Sequence, residues 1–312
     1  MIAKRTVSGH FYALNQRIKN LALLQLPNKK VMKKRIYKPV LFSLSILFLS
    51  ACQLQDKAQK TAVKTDRKVT HIYLIGDSTM ADYTGDYDPG KDYMKIRYPI
   101  TGWGQVFQPF FVKDSIQSLK PGITTDSVAV IDRAHGGRST RTFFQEGRWR
   151  YVYEHLQAGD YVVMQFGHND GSEKHPERYV NIQGYKEFLR LFVSQTRQKG
   201  GNPVIVTPVA RNYPWKDGKL ENVHGDYWQA PIDIAKKMNV PYIDLNRLSM
   251  DYFTKKGEDF TTTHYFMNLP ENVYEAYPKG QKDNTHFQPE GAKAVASLVY
   301  QEFKKIIKTQ KK

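Results

Sequence analysis

A single cysteine, Cys52, stands among 312 residues. That scarcity excludes intrachain disulfides and thiolate metal clusters. Acidic residues are missing altogether from positions 1–51, which carry ten Lys or Arg. Beyond that leader, 37 basic residues face 30 acidic ones, so the formal +17 shrinks to +7. No Lys/Arg stripe follows the leader, and nucleic-acid binding is not expected. The apolar run Val40–Ala51 stops at 12 residues, where a membrane-spanning helix needs about twenty. His135, His175, His224 and His264 form no pair at i,i+3 or i,i+4, so no metal site is expected.

What is present begins with the leader. "MKKRIYKPVLFSLSILFLSAC" (32–52) has a basic start, an apolar stretch and small residues before a cysteine, the pattern of an exported precursor. "LSAC" resembles the lipobox of bacterial lipoproteins, which implies cleavage before Cys52, a lipid on its thiol, and a membrane-anchored protein of the bacterial cell envelope, periplasmic or surface-exposed. Met32 opens a signal of ordinary length, which makes residues 1–31 a candidate misassigned start. The segment 52–69 is polar, charged and poor in large apolar residues, as a flexible tether would be. Residues 70–312 then read as one domain: no second linker, repeat or low-complexity run interrupts them.

Within that domain, 71–76 "HIYLIG", 126–131 "DSVAVI", 160–167 "DYVVMQFG", 203–207 "PVIVT" and 240–244 "VPYID" are apolar on both alternations. Strands covered by helices on both faces have that pattern. Between them, Tyr185, Phe188, Leu189, Phe192 and Val193 recur at helical spacing, and a last helix over 290–308 aligns Ala292, Val295, Ala296, Val299, Phe303 and Ile306. The alternation predicts an α/β fold with a parallel sheet, whose ligands bind at the carboxyl ends of the strands. Ser78, "AHGGRSTR" (134–141), "GHND" (167–170) and "DNTHFQPEGA" (283–292) all fall at that rim.

Ser78 follows the first strand in "IGDSTMAD". It lacks the G-x-x-x-x-G-K-[ST] setting of a phosphate loop, and Met80 occupies the place of the second glycine in G-x-S-x-G. Alone, "GDS" reads as a cap or turn. A serine nucleophile needs a base within hydrogen-bond reach and a third group to orient that base. Asp283 and His286, three apart in "DNTH", supply both, one turn apart if that segment is helical. Acyl transfer also needs donors where the oxyanion develops, and Gly137 and Asn169 sit at the tips of the second and third strands. His168 reads as orienting the Asn169 loop, Asp77 as fixing the turn, and Asp170 as capping the helix that follows. Arg138 and Arg148 could bind an acidic sugar or pair with surface carboxylates, and 211–228 is a candidate rim loop.

The set Ser, Gly, Asn, His in chain order resembles the SGNH (GDSL-like) hydrolases, and within them the rhamnogalacturonan acetylesterase branch. "IGDSTMADY", "GWGQ", "GGRSTRTF…EGRW", "GDYVVMQFGHND", "TPVARN", "HGDYW" and "DNTHFQPEGA" carry that resemblance over about residues 70–308. It implies a three-layer α/β/α flavodoxin-like sandwich with a five-stranded parallel sheet. Ser78 is then the nucleophile and a backbone oxyanion donor beside Gly137 and Asn169, His286 the general base and Asp283 its orienter. It also implies a serine esterase with no cofactor or metal, removing O-acetyl groups from plant cell-wall polysaccharide, rhamnogalacturonan or related pectin. Another acetylated glycan such as xylan, a lipid or thioester, and a non-catalytic glycan-binding lipoprotein are the alternatives.

Overall fold

Short β-branched and aromatic runs form the central strands of the main sheet, which are buried on both faces, while the edge strand Ser127–Asp132 is mostly half-buried. The structure, a computed structural model, describes residues 68–309; the leader, Cys52 and the tether up to residue 67 lie outside the described residues. β1 (Val69–Gly76), β2 (Ser127–Asp132), β3 (Tyr161–Gln165) and β4 (Asn202–Val206) run parallel. β5 (Trp215–Lys216) and β6 (Lys219–Leu220) make a separate hairpin, and β7 (Tyr242–Ile243) closes the main sheet beside β4. The five-stranded order is β2-β1-β3-β4-β7. The chain leaves β1 toward β2 on one side and then crosses to β3 on the other. Such a reversal opens a crevice at the carboxyl ends of β1 and β3.

Alternate residues of each strand enter two different cores. Ile72 and Leu74 of β1 join Val163, Val204 and Val206 on one face. Tyr73 and Ile75 join Val162, Met164 and Ile205 on the other. The first face is covered by α1 (Lys113–Ser118) and by two later helices, α6 (Leu245–Lys256) and α7 (Pro289–Thr309); the second by α2 (Thr140–Gln145), α3 (Arg148–His155), α4 (Ile182–Gln198) and α5 (Asp226–Met238). This is the three-layer sandwich anticipated above. Each fully buried Val, Leu, Ile or Phe contributes about 1.5–3 kcal/mol, so both faces are held independently of the rim.

The last helix departs from the expected phase at its end. Ala292, Ala296, Val299, Phe303 and Ile307 are buried, while Ile306 is half-exposed. After Phe303, a step of four keeps the apolar face on the sheet and a step of three turns away from it. α7 is preceded by β9 (Gln281–Phe287), which pairs antiparallel with β8 (Phe266–Leu269).

Candidate active site

β1 ends at Gly76, and Asp77 and Ser78 turn the chain away from the sheet. No helix starts there. Met80 N and Ala81 N donate to the Asp77 carbonyl, and the Asp77 carboxylate accepts from Thr79 N at 2.9 Å and the Thr79 hydroxyl at 2.8 Å. The carboxylate therefore fixes the turn, as read from sequence, and the helix-cap alternative for Ser78 falls away. A buried chain of hydrogen bonds extends from it. Gln165 Nε2 donates to Thr79 Oγ1 at 2.7 Å, and Trp103 Nε1 donates to Gln165 Oε1 at 3.0 Å. On the other side, His168 Nδ1 meets Asp77 Oδ2 at 3.0 Å and His168 Nε2 meets the Val209 carbonyl at 3.1 Å. Burial works to raise the Asp77 carboxyl, but the His168 charge and hydrogen bond, with the Thr79 bonds, hold it below the ordinary value. Residues of "GWGQ", "QFGHND" and "TPVARN" thus converge on one role, bracing the serine turn.

The other half of the site arrives on β9. Phe266 pairs with Phe287, yet Met267 pairs with Asp283 rather than His286. Residues 284–286 are bulged out of the ladder. The segment is a strand, not a helix, and the bulge produces the contact between residues three apart. Asp283 Oδ1 accepts from Thr285 N at 2.8 Å and His286 N at 3.1 Å, while Asp283 Oδ2 meets His286 Nδ1 at 2.6 Å. His286 Nε2 then lies 2.8 Å from Ser78 Oγ. With the Nδ1 proton donated to the carboxylate, Nε2 offers its lone pair to the serine hydroxyl. Burial pushes the Asp283 carboxyl up, but His286 and the two backbone N–H groups outweigh it and hold it low. The arrangement can generate an alkoxide-like nucleophile near neutral pH.

The candidate oxyanion donors lie on the loops that follow β1, β2 and β3. No acceptor among the described residues takes the N–H of Ser78 or of Gly137. Gly137 sits at φ +77°, a left-handed conformation that glycine adopts without strain. A Cβ at neighbouring Gly136 would stand 2.4 Å from the Tyr87 hydroxyl and 3.7 Å from Ser78 Cβ, so the loop approaches too closely for a side chain. Asn169 Nδ2 donates to the Arg138 carbonyl at 3.0 Å, which orients the amide and leaves its second N–H to give.

Other readings are altered by the structure. Asp170 does not cap the helix that follows it. Its Oδ1 accepts from Thr140 N at 2.9 Å and the Thr140 hydroxyl at 2.6 Å, at the start of α2; Asn181 caps α4. Burial raises the Asp170 carboxyl to about 7, against those two bonds. Arg138 and Arg148 both pair with Glu146, at 2.8 and 3.0 Å. His135 stacks on Tyr87 with ring centroids 4.3 Å apart, and burial, then the Arg148 and Arg138 charges, push it down to about 4. Sequence reasoning missed two arginines. Arg178 Nη1 lies 3.6 Å from where a Gly137 Cβ would be, and Arg211 Nη2 reaches the His168 carbonyl at 3.5 Å. Arg178 lies outside the motifs read from sequence; Arg211 lies within "TPVARN" and opens the candidate rim loop 211–228, but its role there was not read.

The chain matches the GDSL-like lipase/acylhydrolase family over residues 74–294. It is 35% identical to the Bacillus subtilis rhamnogalacturonan acetylesterase RhgT over 233 residues, 75% of this chain and 89% of that protein. It is equally identical, at 35% over 237 residues, to the probable rhamnogalacturonan acetylesterase YesY of the same organism, covering 76% and 93% of the two chains. Among solved structures, B. subtilis YxiM superposes with a TM-score of 0.59 at 28% identity, over 77% of this chain and 57% of that one. On the family match and the 35% identities, the chain belongs to the GDSL-like lipase/acylhydrolase family.

Proposed function

We propose that this protein is a serine carbohydrate acetylesterase that removes O-acetyl groups from plant cell-wall polysaccharide, rhamnogalacturonan or related pectin. The observation that carries the reading is the linked Ser78, His286 and Asp283, with contacts of 2.8 and 2.6 Å. The 35% identity to two proteins named for rhamnogalacturonan supports the substrate class. In the first step Ser78 Oγ attacks the acetyl carbonyl while His286 takes its proton. The oxyanion is met by the Ser78 and Gly137 N–H groups and the Asn169 amide. The intermediate collapses as His286 returns the proton to the departing sugar oxygen. Water, deprotonated by His286, then cleaves the acetyl-serine, and acetate leaves. Acetate release from acetylated rhamnogalacturonan and from p-nitrophenyl acetate tests this. Ser78→Ala should reduce turnover by about 10⁴-fold or more, and wild-type rates in that variant refute the mechanism.

We further propose that the mature chain begins at a lipid-bearing Cys52 and is held at a membrane of the cell envelope. The support is the sequence "LSAC" and the tether-like composition of 52–69. Detergent-phase partitioning of wild type against Cys52→Ala, with intact mass, is the measurement; equal partitioning and equal mass of the mature forms refute the anchor.

A further inference from the structure

A cleft of about 360 Å³ opens beside the loop that carries Asn169, walled by His168, Lys174, Arg211, Tyr213, Val223 and Tyr227. Arg211 lines this cleft, and the chain around it is tied to the strand that carries the catalytic histidine. Its neighbour Asn212 is bonded to Asn284, the residue after Asp283, through N to O at 2.8 Å and Nδ2 to Oδ1 at 3.0 Å. Arg211 Nη1 donates to the Tyr213 hydroxyl at 3.0 Å and Nη2 to the His168 carbonyl at 3.5 Å. A guanidinium has five N–H donors, so three remain unused.

Arg211 also lacks what other arginines here have. Arg97, Arg138, Arg148, Arg190 and Arg247 each pair with an Asp or Glu. No carboxylate of the described residues pairs with Arg211 or with Lys174 across the cleft. The acid on the cleft wall is Glu173, which is exposed. Two cations against one solvated acid leave the cleft positive. Its rim presents Tyr213, 40% exposed, and Val223, 38% exposed. An unpaired guanidinium beside an exposed aromatic face fits a sugar ring that bears a carboxylate.

We propose that this cleft binds the free carboxylate of a uronic-acid residue neighbouring the esterified sugar, with Arg211 as the carboxylate-binding group and Tyr213 packing against the ring. The assignment rests on the pectic reading above and deepens it, making Arg211 the residue that distinguishes an acidic chain from a neutral one.

The test compares kcat/KM on matched acetylated oligogalacturonides, one set with free carboxylates and one methyl-esterified. Wild type should favour the free acid by about tenfold or more, the range for a charge-assisted hydrogen bond, and the preference should shrink with added salt. Arg211→Gln should bring the ratio close to one, chiefly through KM on the free acid, and Arg211→Lys should retain part of it. Arg150→Gln, a change to an exposed arginine paired with Glu154, should keep the wild-type ratio. A ratio unchanged in Arg211→Gln overturns the assignment. So does an equal fall on both substrates in the Gln and Lys variants, which would mark Arg211 as a prop for the His168 carbonyl. Wild type cleaving both sets equally sinks this proposal alone, whereas wild type cleaving p-nitrophenyl acetate but neither oligogalacturonide set nor acetylated rhamnogalacturonan sinks the pectic reading with it.

Discussion

Ser78 and His286 are separated by 208 positions, and their side chains meet at 2.8 Å. Few groups touch the reacting atoms, and each is held by others that do not. Asn169 shows the logic: one amide N–H is spent on the Arg138 carbonyl so that the other has a fixed direction. Preorganised donors of this kind act without reorienting during the reaction. Asn169→Ala should therefore lower kcat by about 10²- to 10³-fold with little change in KM, the loss typical of one oxyanion donor. Steady-state kinetics on p-nitrophenyl acetate decides it; a loss below about threefold would remove Asn169 from the oxyanion site. The residue types were legible in the chain because this chemistry admits few alternatives. The brace of Trp103, Gln165, Thr79, Asp77 and His168 was legible only in part, since no spacing in sequence indicates which buried polar groups share a bond.

At the scale of elements, two local irregularities do the positioning. The bulge in β9 turns an ordinary antiparallel ladder into a platform on which an acid and an imidazole face each other. Periodicity could not reveal it, because a bulge is defined by the partner strand it departs from. The second is the cross-connection from Asp170, after β3, to the start of α2. Short polar residues before a helical run are ordinarily its cap; here the cap is spatial, not sequential. This carboxyl has a consequence for stability. Its value in the folded chain, about 7, lies above the unfolded value near 3.9. The folded state then binds the extra proton, so this group's stabilisation is present below about pH 4 and is lost as pH rises through about 7. Asp170→Asn should flatten the decline in thermal midpoint between about pH 5 and pH 8 by several degrees, at roughly 2–4 °C per kcal/mol for a domain of this size. Thermal scans at the two pH values check it, and a slope within about 2 °C of wild type is the contrary result. Asp77 has the opposite sign: its depressed carboxyl stabilises above about pH 4 and loses that effect on acidification below its folded value.

For the whole molecule, function follows from strand order. The arrangement β2-β1-β3-β4-β7 puts β1 between β2 and β3, so the tips carrying Ser78, Gly137 and Asn169 are nearest neighbours. Parallel strands bring all three to one rim. The antiparallel pair β8–β9 and α7 then fold the carboxyl-terminal part of the chain back to complete the site, and α7 is secured by Val295, Val299 and Phe303 in the core of the first face. The cleft beside Arg211 belongs to this scale as well, since its wall joins the loop after β3, the segment after β4 and the start of α5.

The five sheet segments, the two-sided apolar pattern and the candidates Ser78, Gly137, Asn169, Asp283 and His286 were legible in the sequence alone. Burial on both faces forces that pattern into the strands, and acyl transfer restricts the residue types at their tips. Tertiary structure decided which face the last turn of α7 buries, that Arg138 and Arg148 share the Glu146 carboxylate while no carboxylate among the described residues pairs with Arg211, and that a bulge rather than a helix joins Asp283 to His286. Those outcomes depend on which groups lie within a few ångströms across tens to hundreds of intervening residues, and hydrogen bonds and ion pairs are short-ranged in space while being indifferent to distance along the chain.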